Sequence, residues 1–154
     1  MVWAGICATG KAPLIFVEKG VKINSAAYQS MLRDEVLTWT HEHFSNRVWT
    51  FMQDGATSHR SKASQDLCKE IFKDLITKEQ WPAASPDLNP MDYSIWGFME
   101  EKLKDKRFRS ITGLKNALKR VWDEITTEEL VKIVDNFPKR LRQCIDVQGG
   151  HFEN

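Results

Sequence analysis

The pattern of hydrophobic and polar positions predicts a β-hairpin at the start of the chain and an amphipathic helix after it. Two short apolar runs, Val2–Ala8 and Pro13–Val17, flank the turn residues at 9–11. From Asn24 to Trp39, apolar residues recur at three- and four-residue spacing behind a good N-cap. We expect His41 and His43 to follow in a polar turn, as solvent-exposed residues rather than as metal ligands.

The next run, Val48–Gln53, is apolar and rich in β-prone residues, so it predicts a buried strand. It stops at Asp54, and Gly55 allows the backbone to turn. A helix capped by Ser58 or Thr57 should then extend to about Phe72. A carboxylate at the end of a core strand lies where α/β sheets bind ligands, although a simple turn role for Asp54 remains open.

The remainder of the chain predicts helices joined by loops. After a short strand at Leu75–Thr77 and a loop rich in Pro and Ser, helices should begin at Asn89, Ser110 and Thr126. Pro138 should begin or kink a last helix. The mixture of strands and helices predicts an α/β fold in a single domain over residues 1–154.

Composition restricts where the chain could bind a charged partner. Lys and Arg number 22 against 21 Asp and Glu, so any basic surface must be local. Three scattered cysteines without zinc-site spacing predict reduced thiols and an intracellular location. No apolar run is long enough to span a membrane, so we expect no membrane partner.

One basic stretch precedes the helix expected at Ser110. It could neutralise DNA phosphates, or it could be a solvated helix end whose cations favour the helix dipole. The candidate nucleic-acid-binding residues of this stretch are Lys102, Lys104, Lys106, Arg107 and Arg109.

A second carboxylate accompanies Asp54. Asp92 lies in the first turn of a predicted helix, with 37 residues between the two positions. Two hard oxygen ligands brought together suit Mg²⁺ or Mn²⁺, which keep open positions for substrate phosphate. Asp92 could equally serve its own helix, because an acid in the first turn favours the dipole.

Two segments resemble motifs of the mariner-like transposases of the DDE/D superfamily. Residues 52–59, Met-Gln-Asp-Gly-Ala-Thr-Ser-His, are similar to the segment with the second catalytic acid of that family. Residues 81–96, which contain Ser-Pro-Asp-Leu-Asn-Pro, are similar to the segment with the third. Residues 2–6 and the region from Cys144 to Phe152 resemble the flanking sequences, so the likeness covers nearly the whole chain.

This resemblance implies that Asp54 and Asp92 are catalytic acids that bind Mg²⁺ or Mn²⁺, with the spacing of the DD37D subgroup. It implies an RNase H-like core, a mixed sheet with flanking helices, that cleaves and transfers DNA strands in the nucleus. Transposon ends are the implied partner. Asp87 is not catalytic in the family pattern, and His59 would line the site at most.

The chain departs from the family pattern at its start. The family's first catalytic Asp precedes the segment that residues 2–6 resemble, as does a helix-turn-helix DNA reader. We therefore expect a C-terminal fragment of the catalytic domain that lacks the first strand of the fold, is inactive alone and binds DNA weakly. We expect the hairpin to pair directly with the strand Val48–Gln53 and so close the unpaired strand edges, with a strand-swapped homodimer as the second possibility. The alternative is a non-catalytic module that binds nucleic acid or protein.

Overall fold

The computed structural model describes residues 1–18, 20–150 and 152. The chain divides into two compact units. One, the hairpin unit, comprises Met1–Phe16 and Pro86–Asn154. The other, the central unit, comprises Val17–Ser85.

The hairpin unit begins with the predicted β-hairpin. Its outer pair joins Val2–Trp3 to Ile15–Phe16 and its inner pair joins Ile6–Cys7 to Gly10–Lys11, both antiparallel. Between the two pairs, Gly5 lies against the ring of Trp3, where an added Cβ would approach the ring to 3.1 Å. Glycine, which has no Cβ, therefore lets the indole approach this backbone closely.

The helices of the hairpin unit begin largely at the expected residues. Ser110 accepts a hydrogen bond from the Gly113 amide at 3.0 Å, and Thr126 forms a capping box with Glu129. Pro138 begins no helix of its own, because it lies inside one continuous helix. The bounds are Pro86–Leu88 (3₁₀), Met91–Ile95 (π), Trp96–Leu103, Ile111–Glu124 and Thr127–Asp146.

The core of the hairpin unit joins the hairpin to the C-terminal helices. The Trp122 indole donates to the Ala12 carbonyl at 2.9 Å, and the Lys11 ammonium donates to the carbonyls of Trp122 and Ile125. Desolvation lowers the pKa of Lys11. The buried residues around this contact are Ile95, Met99, Val121, Trp122, Ile125 and Leu130.

The central unit is mostly helical. Three consecutive segments, Ser25–Met31, Leu32–Val36 (π) and Leu37–Phe44, form one long helical region, and Asn24 caps it through the Ala27 amide. The predicted helix of 58–72 is two helices, Thr57–Arg60 and Lys62–Ile71. The helical conformation is interrupted at Ser61, which supplies the side-chain cap of the second helix in place of Thr57 or Ser58. The Ser61 hydroxyl accepts a hydrogen bond from the Ser64 amide at 3.1 Å.

The predicted strand Val48–Gln53 is only partly confirmed. Val48 is 97% exposed, and Phe51 makes a single parallel bridge to Leu75. Phe51 is buried because its ring stacks on Phe72 at 4.2 Å, and Trp49 stacks on Phe44 at 4.4 Å. Aromatic packing, rather than an extended ladder, therefore holds this segment.

The expectation of a polar turn at the two histidines was wrong. His41 and His43 lie in the last turns of the helix Leu37–Phe44. The His43 ring stacks on Trp39 with centroids 4.7 Å apart, and burial lowers its pKa. The stacking of His43 on Trp39, one helical turn earlier, favours continuation of the helix over the polar loop that the sequence alone suggested. Across the described residues, no helix is both long and apolar enough to cross a membrane.

Replacing Thr126 by Ala should lower the free energy of unfolding by about 1 kcal/mol, because it removes the hydroxyl that accepts from the Glu129 amide and donates to the Glu129 carboxylate. Chemical denaturation followed by circular dichroism measures the change. Thr127→Ala is the matched control, since Thr127 takes no part in the cap, and its effect should stay within about 0.5 kcal/mol. Equal losses in the two variants would contradict the role of the cap.

Candidate functional site

Asp54 lies at the turn that follows the segment Val48–Gln53 in the central unit. Its Oδ1 accepts a hydrogen bond from the Ala56 amide at 3.0 Å and contacts His59 Nδ1 at 2.6 Å. The first bond is the two-residue contact that Asp makes in turns. The side chain is half-buried, with 42% of its surface exposed. Asp54 therefore does stabilise the turn, as considered from the sequence, and it uses only one carboxylate oxygen to do so.

The environment keeps Asp54 charged. The hydrogen bond with His59 lowers the pKa of the carboxyl, and the Ala56 amide adds to this, while partial burial opposes both. The net direction is downward, so Asp54 is a carboxylate at neutral pH. Across the described residues, no hydrogen bond is made to its other oxygen, Oδ2. Asp54 therefore offers one tied and one open oxygen.

His59 does more than line the site, which is all that the sequence implied for it. Its side chain is 15% exposed, and its ring stacks on Tyr28 with centroids 4.1 Å apart. The Gln65 side-chain amide donates to the His59 carbonyl at 3.0 Å. Both the ring and the backbone of His59 are therefore fixed.

Tyr28 connects this histidine to the residue before Asp54. The Tyr28 hydroxyl donates to Gln53 Oε1 at 2.5 Å, and the Gln53 amide contacts Cys68 Sγ at 3.9 Å. Burial raises the pKa of Tyr28 well above its usual value and that of Cys68 to about 11. Both groups stay protonated at neutral pH and act as fixed, uncharged supports.

A shallow cleft borders Asp54. Its walls include two cations, Arg60 and Lys78, and the half-buried indole of Trp81. The buried Gln65 holds the backbone of Lys78, because its side-chain oxygen Oε1 accepts a hydrogen bond from the Lys78 backbone amide at 3.0 Å. The cleft thus combines a carboxylate, two positive charges and an aromatic face.

Asp92 belongs to the hairpin unit and lies at the start of its helix, as predicted. Its carboxylate accepts a hydrogen bond from the Asn89 side-chain amide at 2.9 Å, and the residue is exposed. The Asn89 carbonyl accepts from the Asp92 amide, also at 2.9 Å. Asn89 therefore holds the Asp92 carboxylate at the helix N-terminus while leaving it accessible to solvent.

The longest helix of the hairpin unit supports this segment from behind. The Tyr93 hydroxyl donates to the Ile133 carbonyl at 2.7 Å, and the Arg140 guanidinium lies 4.3 Å from the centre of the Tyr93 ring. Arg140 also donates to the Asp87 carbonyl. Burial raises the pKa of Tyr93 to about 12. The Asp87 carbonyl thus anchors the motif segment to this helix, and the non-catalytic role of the Asp87 carboxylate stays a prediction.

The pairing of Asp54 with Asp92 stays a prediction, because the two residues belong to different compact units. In the part of the chain that the structure describes, no group of three or more His, Cys, Asp or Glu side chains could hold a metal ion.

Two of the five candidate DNA-binding cations already have acidic partners. Lys102 pairs with Glu124 at 2.9 Å and Lys104 pairs with Glu101 at 2.5 Å. All five side chains are exposed. Lys106, Arg107 and Arg109 have no ion pair among the described residues, so they are the stronger candidates of the stretch.

Sequence reasoning overlooked Tyr28, Arg60, Lys78 and Trp81 as site residues. Arg60 follows His59 directly, so its place beside the Asp54 turn could have been inferred from proximity. The other three come from segments remote in the chain. Only tertiary structure brings them to the site, and no spacing rule would have found them.

Comparison with known proteins places the chain in a family. Residues 2–115 match the family model described as DDE superfamily endonuclease. The chain is 32% identical to the Tc3 transposase of Caenorhabditis elegans over 151 residues, which cover 97% of this chain and 44% of that protein. The chain spans about half the length of the curated relatives it matches.

The structure of the chain is also similar to solved structures of the Mos1 mariner transposase, a protein of Drosophila mauritiana. Its catalytic domain aligns with a TM-score of 0.82 at 25% identity, over 95% of this chain and 72% of that one. Its paired end complex with Mn aligns with a TM-score of 0.83 at 27% identity, over 99% and 44%. The fold is thus RNase H-like, and the chain belongs to the DDE superfamily endonuclease family as a mariner-like transposase catalytic domain.

Proposed function

We propose that this chain is the part of a divalent-metal-dependent DNA transposase that supplies Asp54 and Asp92 to strand cleavage and transfer in the nucleus. The observation that carries the proposal is the Asp54 carboxylate, which is charged, half-exposed and open at Oδ2 beside a cationic cleft. A site that acts on phosphodiesters needs a metal-binding anion close to positive charges that hold phosphate.

The donor set fits Mg²⁺ or Mn²⁺. Both acids offer hard carboxylate oxygens, and such ions use one or two protein carboxylates together with substrate phosphate. Asp54 Oδ2 and the exposed carboxylate of Asp92 would hold the metal. When bound, such ions activate a water or a 3′-hydroxyl and stabilise the leaving oxygen of a phosphodiester. The crystal structure of a Mos1 complex with Mn supports this choice.

DNA is the proposed partner, because the matched Mos1 structures include a complex with the left transposon end. In this chain, Arg60 and Lys78 would neutralise phosphates beside Asp54. Lys102, Lys104, Lys106, Arg107 and Arg109 would contact the backbone elsewhere. Phosphate contacts position DNA without reading its sequence, so binding by this chain alone should be weak and unspecific.

Catalysis in the family pattern requires three acids, of which the first is not matched in this chain. The chain supplies residues that match the second and third acids, and no Asp precedes Asp34. Asp34 lies in the π-helical segment Leu32–Val36, where Ser30 donates to its carboxylate at 2.7 Å. We therefore propose that these 154 residues do not cleave DNA by themselves.

The catalytic proposal is tested by a chimera in which the Tc3 sequence preceding the matched region is joined to Val2. The chain alone should give no cleavage of Tc3-end DNA with Mg²⁺ or Mn²⁺, whereas the chimera should cleave it. Asp54→Asn and Asp92→Asn should each abolish that cleavage, because each removes a metal ligand.

Asp87→Asn is the control, since Asp87 lies in the same motif as Asp92 and should keep activity in the chimera. Cleavage that survives Asp54→Asn would overturn the assignment of the acids. Robust cleavage by the chain alone that disappears in Asp92→Ala would show that another residue replaces the missing first acid. A chimera that binds DNA but never cleaves it would favour the non-catalytic binding module.

The DNA surface is tested by the salt dependence of binding to a duplex without transposon sequence. The slope of log K against log salt is negative, and each lost phosphate contact should reduce its magnitude by about 0.9. The double variant Arg60→Ala, Lys78→Ala should therefore reduce this magnitude by about 2. The triple variant Lys104→Ala, Lys106→Ala, Arg107→Ala should lower it by about 2 to 3, with the paired Lys104 contributing least.

Lys62→Ala is the matched control for both variants. Lys62 is exposed and pairs with Asp66, and it lies outside the cleft and the basic stretch. Its slope should match that of the unmodified chain. If both multiple variants also leave the slope unchanged, DNA binds on another surface.

A further inference from the structure

The two oxygens of the Asp54 carboxylate have different surroundings. Oδ1 contacts the Ala56 amide at 3.0 Å and His59 Nδ1 at 2.6 Å. Oδ2 has no hydrogen bond within the described part of the chain. A carboxylate with one oxygen so occupied can rotate little, and it presents the other oxygen to whatever binds next.

The direction of the short contact follows from chemistry. An ionised carboxylate only accepts hydrogen bonds, so the proton must lie on His59 Nδ1. The imidazole therefore donates to Oδ1, and this contact fixes which ring nitrogen carries hydrogen. A donor aimed at one oxygen restrains the carboxylate more strongly than packing alone, because bonds to charged groups are short and directional.

His59 is itself held in place from two sides. The ring of Tyr28, a residue only 1% exposed, stacks on the imidazole at 4.1 Å, and Gln65 holds the His59 carbonyl at 3.0 Å. The Tyr28 hydroxyl also reaches Gln53, the residue before Asp54, at 2.5 Å. Tyr28 thus fixes both ends of the turn that carries the carboxylate.

We infer that His59 is a positioning residue that makes Asp54 a monodentate metal ligand, with Oδ1 held by the protein and Oδ2 given to the ion. The inference rests on the proposed function, since it presupposes a divalent ion at Asp54. A monodentate carboxylate occupies a single coordination position. It therefore leaves more of the sites on the ion for phosphate oxygens and water.

The test is Mn²⁺ binding by the full 154-residue chain, followed by the paramagnetic broadening of the Gly55 and Ala56 amide signals in NMR spectra. His59→Leu keeps an apolar side chain against Tyr28 but removes the donor. It should weaken Mn²⁺ binding by about tenfold, the usual cost of losing a group that orients a metal ligand. His59→Asn places an amide donor near the position of Nδ1 and should restore affinity.

Thermal unfolding of each variant separates positioning from folding. Affinity that falls in His59→Leu and returns in His59→Asn, at similar unfolding midpoints, is the expected result, because a purely structural role would not follow the donor. If His59→Leu does not fold, the unmodified protein still decides. Its ¹⁵N spectrum must show hydrogen on His59 Nδ1, and an unprotonated Nδ1 would overturn the inference.

Asp54→Asn distinguishes this inference from the proposed function. If Asp54→Asn abolishes the broadening while His59→Leu binds Mn²⁺ like the unmodified chain, the positioning role is wrong and the metal site stands. If Asp54→Asn leaves the broadening unchanged, the ion does not bind at Asp54, and both proposals fail together.

Discussion

A charged carboxylate that is partly removed from water must be compensated by hydrogen-bond donors, and the Asp54 turn is built around this requirement. The donors come from the Ala56 backbone and His59, both within five residues. The histidine in turn needs a rigid surface, which Tyr28 provides from the first helical region. Tyr28 is fully buried and can be so only because its hydroxyl reaches Gln53. The Asp54 charge is thus supported by a chain of contacts through His59, Tyr28 and Gln53.

Asp92 is compensated in a different way. It is exposed, it lies at a helix N-terminus, and it accepts a hydrogen bond from Asn89. The helix dipole and exposure to solvent stabilise the negative charge of Asp92, whereas His59 stabilises that of Asp54. The rigidity of the segment instead comes from Tyr93 and Arg140, which tie it to the helix Thr127–Asp146. Two acids with one expected purpose are therefore stabilised by different physics.

Elements determined by local chemistry could be predicted from the sequence, and elements determined by remote contacts could not. Asn24, Ser110 and Thr126 were identified as helix caps because a cap depends on three or four consecutive residues. The strand at Val48 was overestimated, since β-prone composition does not guarantee a partner strand. The assignment of Asp54 and Asp92 came from motif resemblance. The contact between Tyr28 and His59 could not be foreseen, because 30 residues separate them.

The make-up of the hairpin unit has a consequence for biosynthesis. The Trp122 indole bonds to Ala12, and the Lys11 ammonium bonds to the carbonyl ends of a helix more than one hundred residues later in the chain. These contacts cannot form until the chain has been synthesised past Ile125. The central unit is contiguous in sequence, so all of its residues are synthesised after the hairpin and before the helices that pack on the hairpin. During that interval the hairpin exposes apolar side chains, Ile6 and Leu14 among them, that later pack against the core of the hairpin unit, and such transiently exposed surface is prone to aggregation.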